Sequence, residues 1–287
     1  MRPRPFRFAT VSAPSTPFAD LVEEARAAEA AGFDLLVLPD FPKTISPIAT
    51  LAALAAHTTT LRFCPLVVNA GLWRPDLLVR EFLTADQISG GRVEIGLGAG
   101  VGPGPARPVG HLRETLAALR TSLEGEANPP GWVSTPPILV GGSGDKLLRV
   151  AGEFADIVGL AGPFPHPPAL PPGQIPLLSP AAARDRIGVI REAAGGRFDR
   201  IELNVGAQVQ MTGDRRAAAE QAHRIHSYLS VEEILASPKF LAGTAAEIAE
   251  QLLGHRERLG ISYFATIGVP SSEFAPVIGA LRSRTGP

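Results

Sequence analysis

Cysteine is almost absent: Cys64 stands alone, in an apolar run between Phe63 and Pro65. One thiol can build neither a disulfide framework nor a multi-thiolate metal site, so it reads as a small core hydrophobe. No run of 18 apolar residues occurs, and the basic start Met-Arg-Pro-Arg-Pro-Phe leads into no apolar stretch of signal-peptide length. The expectation is a soluble, cytoplasmic protein. Neither charge sign prevails, with 27 basic and 28 acidic residues, and no Lys/Arg block breaks the balance. That excludes a surface built to track nucleic acid or an anionic membrane. The common phosphate fingerprints are missing too. Gly96-Leu-Gly-Ala-Gly-Val-Gly lacks the dinucleotide spacing, and Lys146 is not set in Gly-Lys-Ser/Thr. His57, His223, His226 and His255 fall on expected helices without carboxylates at metal spacing, so no metal site is expected. Ser143 lacks the nucleophile-elbow pattern.

Glycine, by contrast, is plentiful and concentrated at strand ends. The strand over 92–97 runs into Gly96, Gly98, Gly100 and Gly102, and that over 137–140 into Gly141, Gly142, Ser143 and Gly144. Each loop alone is compatible with a tight turn. Two in one chain suggest a large phosphorylated ligand held by backbone N–H groups.

The hydrophobic period alternates between strand and helix eight times. Strands are expected at 6–12, 34–38, 61–68, 92–97, 137–140, 156–160, 201–210 and 262–267. Helices are expected at about 16–32, 46–57, 75–89, 109–123, 145–154, 180–194, 214–228, 245–259 and 274–282. Eight units with no break in composition imply a single domain over 1–287, an α/β fold of the (β/α)8 TIM-barrel type. An open doubly wound sheet rarely needs so many regular units. In such a barrel the chemistry sits at the carboxyl ends of the strands. That rule selects Ser12, Asp40, Asn69, Gly98 to Gly102, Gly141 to Ser143, the proline-rich loop with His166, Gln208, Gln210 and Thr266 to Gly268. Asp40 is a candidate proton carrier or ring contact, or else a turn cap, and His166 a titrating group over the mouth or a solvated loop residue. Trp73 either stacks at the site or covers the rim.

Several segments carry a resemblance: Ala30-Ala-Gly-Phe-Asp-Leu-Leu-Val-Leu-Pro-Asp40, Leu66-Val-Val-Asn with Arg74-Pro75, and Leu83-Thr-Ala-Asp-Gln-Ile-Ser-Gly-Gly-Arg-Val-Glu-Ile-Gly-Leu-Gly-Ala-Gly100. Leu241-Ala-Gly-Thr-Ala-Ala-Glu-Ile-Ala-Glu-Gln-Leu and Leu259-Gly-Ile-Ser-Tyr-Phe add to it. With these the whole chain resembles the luciferase-like monooxygenase superfamily, in particular its actinobacterial branch using the deazaflavin coenzyme F420. The resemblance implies a ring against the third strand's end, contacted by Asp40, Val67, Val68 and Asn69. It also implies a phosphate on Gly98, Ala99, Gly100, Gly102, Gly141, Gly142, Ser143 and Gly144. Relatives often carry a non-prolyl cis peptide in the third-strand bulge. Two departures stand out: Asp40 is followed by Phe41 where relatives often have a histidine, and the link over 101–109 is short, so part of the usual lid is missing. The implied activity is hydride transfer between F420 and a small organic substrate, reducing a C=C, C=N or C=O bond, with Asp40 and His166 as catalytic candidates and a place in secondary metabolism. An FMN-dependent monooxygenase and a non-catalytic scaffold barrel are the alternatives. Relatives, together with the very apolar helices over 48–56 and 77–88, point to a homodimer.

Overall fold

The computed structural model describes residues 4–41, 44–100, 108–124, 135–163, 170–171 and 174–285. Its strands are β1 (Arg7–Val11), β2 (Leu35–Leu38), β3 (Arg62–Pro65), β4 (Val68–Asn69), β5 (Ile95–Gly98), β6 (Ile138–Gly142), β7 (Ile157–Leu160), β8 (Glu202–Met211), β9 (Phe240–Gly243) and β10 (Ile261–Ile267). The helices are α1 (Phe18–Ala30), α2 (Pro47–Ala55), α3 (Pro75–Ser89), α4 (Pro108–Glu124), α5 (Asp145–Phe154), α6 (Pro180–Ala194), α7 (Arg215–Ile225), α8 (Val231–Leu235), α9 (Ala245–Leu259) and α10 (Ser271–Thr285). Pairing is parallel in the order β3-β2-β1-β10-β8-β7-β6-β5-β4. The Phe63 N–H donates to Arg92 O and the Glu94 N–H to Phe63 O, each at 2.8 Å, which joins β3 to the segment entering β5 and closes a (β/α)8 barrel.

Strands buried on both faces need apolar residues at every position, which is why β2 reads Leu-Leu-Val-Leu without alternation. Leu35 and Val37 point inward with Ala9, Cys64, Leu139, Ile157, Tyr263 and Ala265, while Leu36 and Leu38 pack outward under the helices. Proline at the first turn starts α2, α3 and α6. Reciprocal Ser230–Glu233 and Thr244–Glu247 capping boxes start α8 and α9.

Two expectations need correction. The third strand is not one piece over 61–68: it stops at Pro65, and after a bulge β4 resumes pairing with β5 rather than with β2. The helix expected over 214–228 stops at Ile225, and α8 and β9 follow, unforeseen. β9 was hidden because Phe-Leu-Ala-Gly is short and runs straight into a capping box. It pairs with the outer half of β8, Gln208 to Met211, whereas β7 reaches β8 only from Glu202 to Asn204. α7, α8 and β9 bury their own cluster of Leu177, Ala218, Ala222, Leu229, Ile234 and Phe240, which no pairing of β7 with β8 alone would cover.

Charge gathers at the amino ends of the strands. Arg7 pairs with Glu94 and, at 2.7 Å, with Glu202, Arg62 Nε lies 3.2 Å from Glu94, and the Arg7 guanidinium sits over the Tyr263 ring. Glu94 and Tyr263 are fully buried, and burial raises the Glu202 carboxyl against the pull of Arg7. A network at this end of a barrel closes the floor and stays out of the chemistry.

Candidate active site at the barrel mouth

The site is built around the bulge between β3 and β4. The Leu66–Val67 peptide is cis. Leu66 N–H donates to Leu38 O at 3.0 Å, and the Asn69 N–H donates to Asp40 Oδ2 at 3.3 Å. The Asn69 side chain turns back and accepts from the Gly71 N–H at 3.0 Å, capping the short turn Ala70–Leu72. Asp40 is half-buried and clamps the outgoing strand.

The glycines serve this bulge first. A Cβ on Gly98 would stand 2.6 Å from Val67 Cγ2, and one on Gly141 would stand 3.2 Å from Val67 Cγ1. Gly100, at φ +82°, would drive a Cβ into the Asn69 amide. Leu97 pairs with Val140, Gly141 with Gly159 and Gly159 with Asn204, so Gly98, Gly141 and Gly159 form a bare row across β5, β6 and β7. The row ends on the buried Asn204, whose Nδ2 donates to Tyr263 O at 3.3 Å. The bare row gives Val67 its place: its two methyl groups lie over Gly98 and Gly141, and the Asn204 amide lies against Gly159.

The second glycine loop divides between strand and helix. Gly141 and Gly142 still belong to β6, and a Cβ on Gly142 would overlap the Leu147 side chain of α5. Ser143 is buried. The amides without a partner inside α5 are those around Gly144, Asp145 and Lys146, because the first N–H groups of a helix have no carbonyl one turn back. Ala99 is half-buried against the core. Gly102 and His166 lie outside the described residues, as does most of the short link after the fourth strand.

Other groups at the strand ends complete the rim. Ser12 Oγ is buried with no partner among the described residues, Gln208 Nε2 donates to Gln174 Oε1 at 2.6 Å, and Thr266 Oγ1 donates to Ala9 O at 3.2 Å. Phe41 is 50% exposed beside Asp40. Asn204, Gln174 and His111 escaped the sequence argument. His111, whose Nε2 lies 3.1 Å from Trp73 O, fixes that half-buried indole backbone at the rim. Its signal was available: it is the histidine in the first turn of the helix that follows the glycines of β5. His226, which follows the last residue of α7, and His255 on α9 are both buried.

A closed parallel barrel with helices outside and polar groups at the carboxyl ends of its strands defines a TIM-barrel protein. The chain belongs to the luciferase-like monooxygenase family, whose family model matches residues 4–260. It is 28% identical over 173 residues to the 5,10-methylenetetrahydromethanopterin reductase of Archaeoglobus fulgidus, a match covering 52% of this chain and 51% of that protein. The chain thus spans about half the length of the curated relatives it matches. Over whole folds it resembles an F420-dependent secondary alcohol dehydrogenase in complex with an F420-acetone adduct, with a TM-score of 0.75 at 15% identity and coverage of 97% and 100%. It also resembles a riboflavin lyase with modified FMN and riboflavin, with a TM-score of 0.72 at 15% identity and coverage of 98% and 92%.

Proposed function

We propose that this chain is an F420-dependent oxidoreductase that transfers a hydride between the deazaflavin and a small organic substrate with a C=C, C=N or C=O bond. The observation that carries the proposal is the Val67 bulge set against the glycine row Gly98–Gly141–Gly159 at the carboxyl ends of β5, β6 and β7, with Asp40 hydrogen-bonded to Asn69 beside it. The reductase and dehydrogenase relatives support the deazaflavin over FMN. The coenzyme, when bound, supplies the hydride chemistry, and the chain supplies orientation and proton handling. Val67, Val68 and Asn69 would contact the ring from the bulge. The N–H groups from Ser143 to Lys146, at the start of α5, would receive a phosphate. Asp40, held against Asn69 N–H, is the proton carrier in this proposal, and Ser12 Oγ is a free hydroxyl on the same rim.

Absorbance and fluorescence of the purified chain test the cofactor. A colourless protein that binds added F420 supports the proposal, a retained yellow flavin supports the FMN-dependent reading favoured by the riboflavin lyase neighbour, and binding of neither points to a scaffold. Asp40→Asn keeps an oxygen for the Asn69 N–H while removing the titrating group. We expect turnover to fall by roughly 10²- to 10⁴-fold at unchanged coenzyme affinity, the usual worth of general acid–base help. Equal loss of coenzyme binding would make Asp40 a ring anchor instead. The proposed assembly is a homodimer.

A further inference from the structure

β7 and β8 part company above Gly159 and Asn204, and Lys239, the residue before β9, fills the split. Lys239 is 4% exposed, yet among the described residues its ammonium meets a single acceptor, Leu160 O, at 3.5 Å. That is a long hydrogen bond for a group with three donors. Arg186, on the second turn of α6, is the charge that acts on it, and it is another cation. Arg186 sends Nη1 to Ala182 O at 3.3 Å, while its Nε is buried without a partner among the described residues. The carboxylates that act on Arg186, Asp145 and Asp185, are both exposed. Neither Lys239 nor Arg186 forms an ion pair among the described residues. Burying an ammonium without an ion-pair partner gives up its hydration, and a second cation nearby adds repulsion; a bound anion would offset both.

We propose that Lys239 and Arg186 form an oxyanion site at the split between β7 and β8, taking a phosphate or carboxylate group of a small ligand bound at the mouth. The position supports this: Leu160, whose carbonyl meets the Lys239 ammonium, pairs with Gly142 at the carboxyl end of β6, and Asp145, which acts on Arg186, opens the helix after the Gly141–Gly144 loop, so the two cations lie at the mouth end of the strands without belonging to the bulge. The ammonium is also held down to about 8 by burial first and by Arg186 second, both of which a bound anion would oppose. The site does not depend on the identity of the cofactor.

Thermal unfolding of the full chain near neutral pH, in inorganic phosphate against chloride of matched ionic strength, reads the site directly. Wild type should gain stability with phosphate, because a ligand that binds only the folded state raises the midpoint. Lys239→Met, similar in size and uncharged, should start above wild type in chloride and lose the phosphate response. Arg186→Met should lose most of that response as well. A Lys239→Met protein less stable than wild type in chloride, or variants that respond to phosphate as wild type does, would overturn the site and make Lys239 a structural staple for β9. Binding of F420 and of its phosphate-free deazaflavin riboside then separates the sources. If Lys239→Met weakens F420 by roughly tenfold or more and spares the riboside, the anion is the coenzyme's own. If both are unchanged while the phosphate response is gone, the anion belongs to the substrate. A chain that binds neither deazaflavin leaves the phosphate result standing, so failure of the cofactor proposal remains distinct from failure of this one.

Discussion

Val67 and the glycines around it show how far a single side chain sets the site. Gly98 leaves no room for a methyl group: its Cβ would lie 2.6 Å from Val67 Cγ2 on a strand fixed by its pairing with β4. Gly98→Ala is therefore expected to cost about 1–3 kcal/mol by overpacking, read as a lower unfolding midpoint. Val67→Ala opens the same space and should recover much of that loss in the double variant, since the two residues share one contact. Additive losses would show that Gly98 is kept for a different reason. The sequence made these glycines conspicuous but not their direction. A strand-end glycine signals that something approaches closely, and whether that is a ligand phosphate or a valine from the next strand depends on the bulge, which no local pattern encodes. Asp40 was legible because it follows an unbroken apolar strand in a barrel. The two cations at the split were not, since a lysine before a short strand and an arginine on a helix each look like surface residues until the excursion after β8 covers them.

At the scale of elements, the eight strand–helix units were legible because burial on both faces writes itself as unbroken apolar runs, and because Pro and Gly punctuate helices. The interruption of β3 and the insertion of β9 were not, because both answer to pairing partners far away in sequence. A helix–strand contact also sets the expected acid response. His255 on α9 is buried against Phe264 of β10, with Nε2 unpartnered, and burial, reinforced by Arg258, holds its pKa down to about 4. The unfolded chain binds a proton near pH 6.5 and the folded chain does not, so this contribution is complete above about 6.5 and is lost as pH falls toward 4. Over that window we expect a loss of up to about 3 kcal/mol. His255→Leu should flatten the stability profile between those values, and an unchanged slope would place the acid sensitivity elsewhere.

Across the whole molecule, the two ends of the barrel divide the charges: the Arg7–Glu94–Glu202 network closes the amino end, while the Val67 bulge and the proposed Lys239–Arg186 pair stand at the carboxyl end. One further surface is left over. The apolar content of α2 looked excessive for one barrel, but the fold consumes it, burying Ile48, Leu51, Ala52, Leu54 and Ala55. α3 and the turn before it differ, leaving Leu72 69% exposed, Ile88 61% and Leu77 36%, with Phe41 and Ile45 also exposed after β2. Apolar side chains gathered on neighbouring elements mark an interaction surface more often than scattered ones do. In a dimer of identical chains one such patch meets itself about a two-fold axis, so a single element can supply both halves of the interface. We therefore predict that light scattering at micromolar concentration gives a dimer. Ile88→Lys should convert it to a monomer whose unfolding and coenzyme binding are otherwise preserved, because that residue makes little contribution to the core. A wild-type monomer would remove the prediction. A dimer untouched by Ile88→Lys would move the interface off α3.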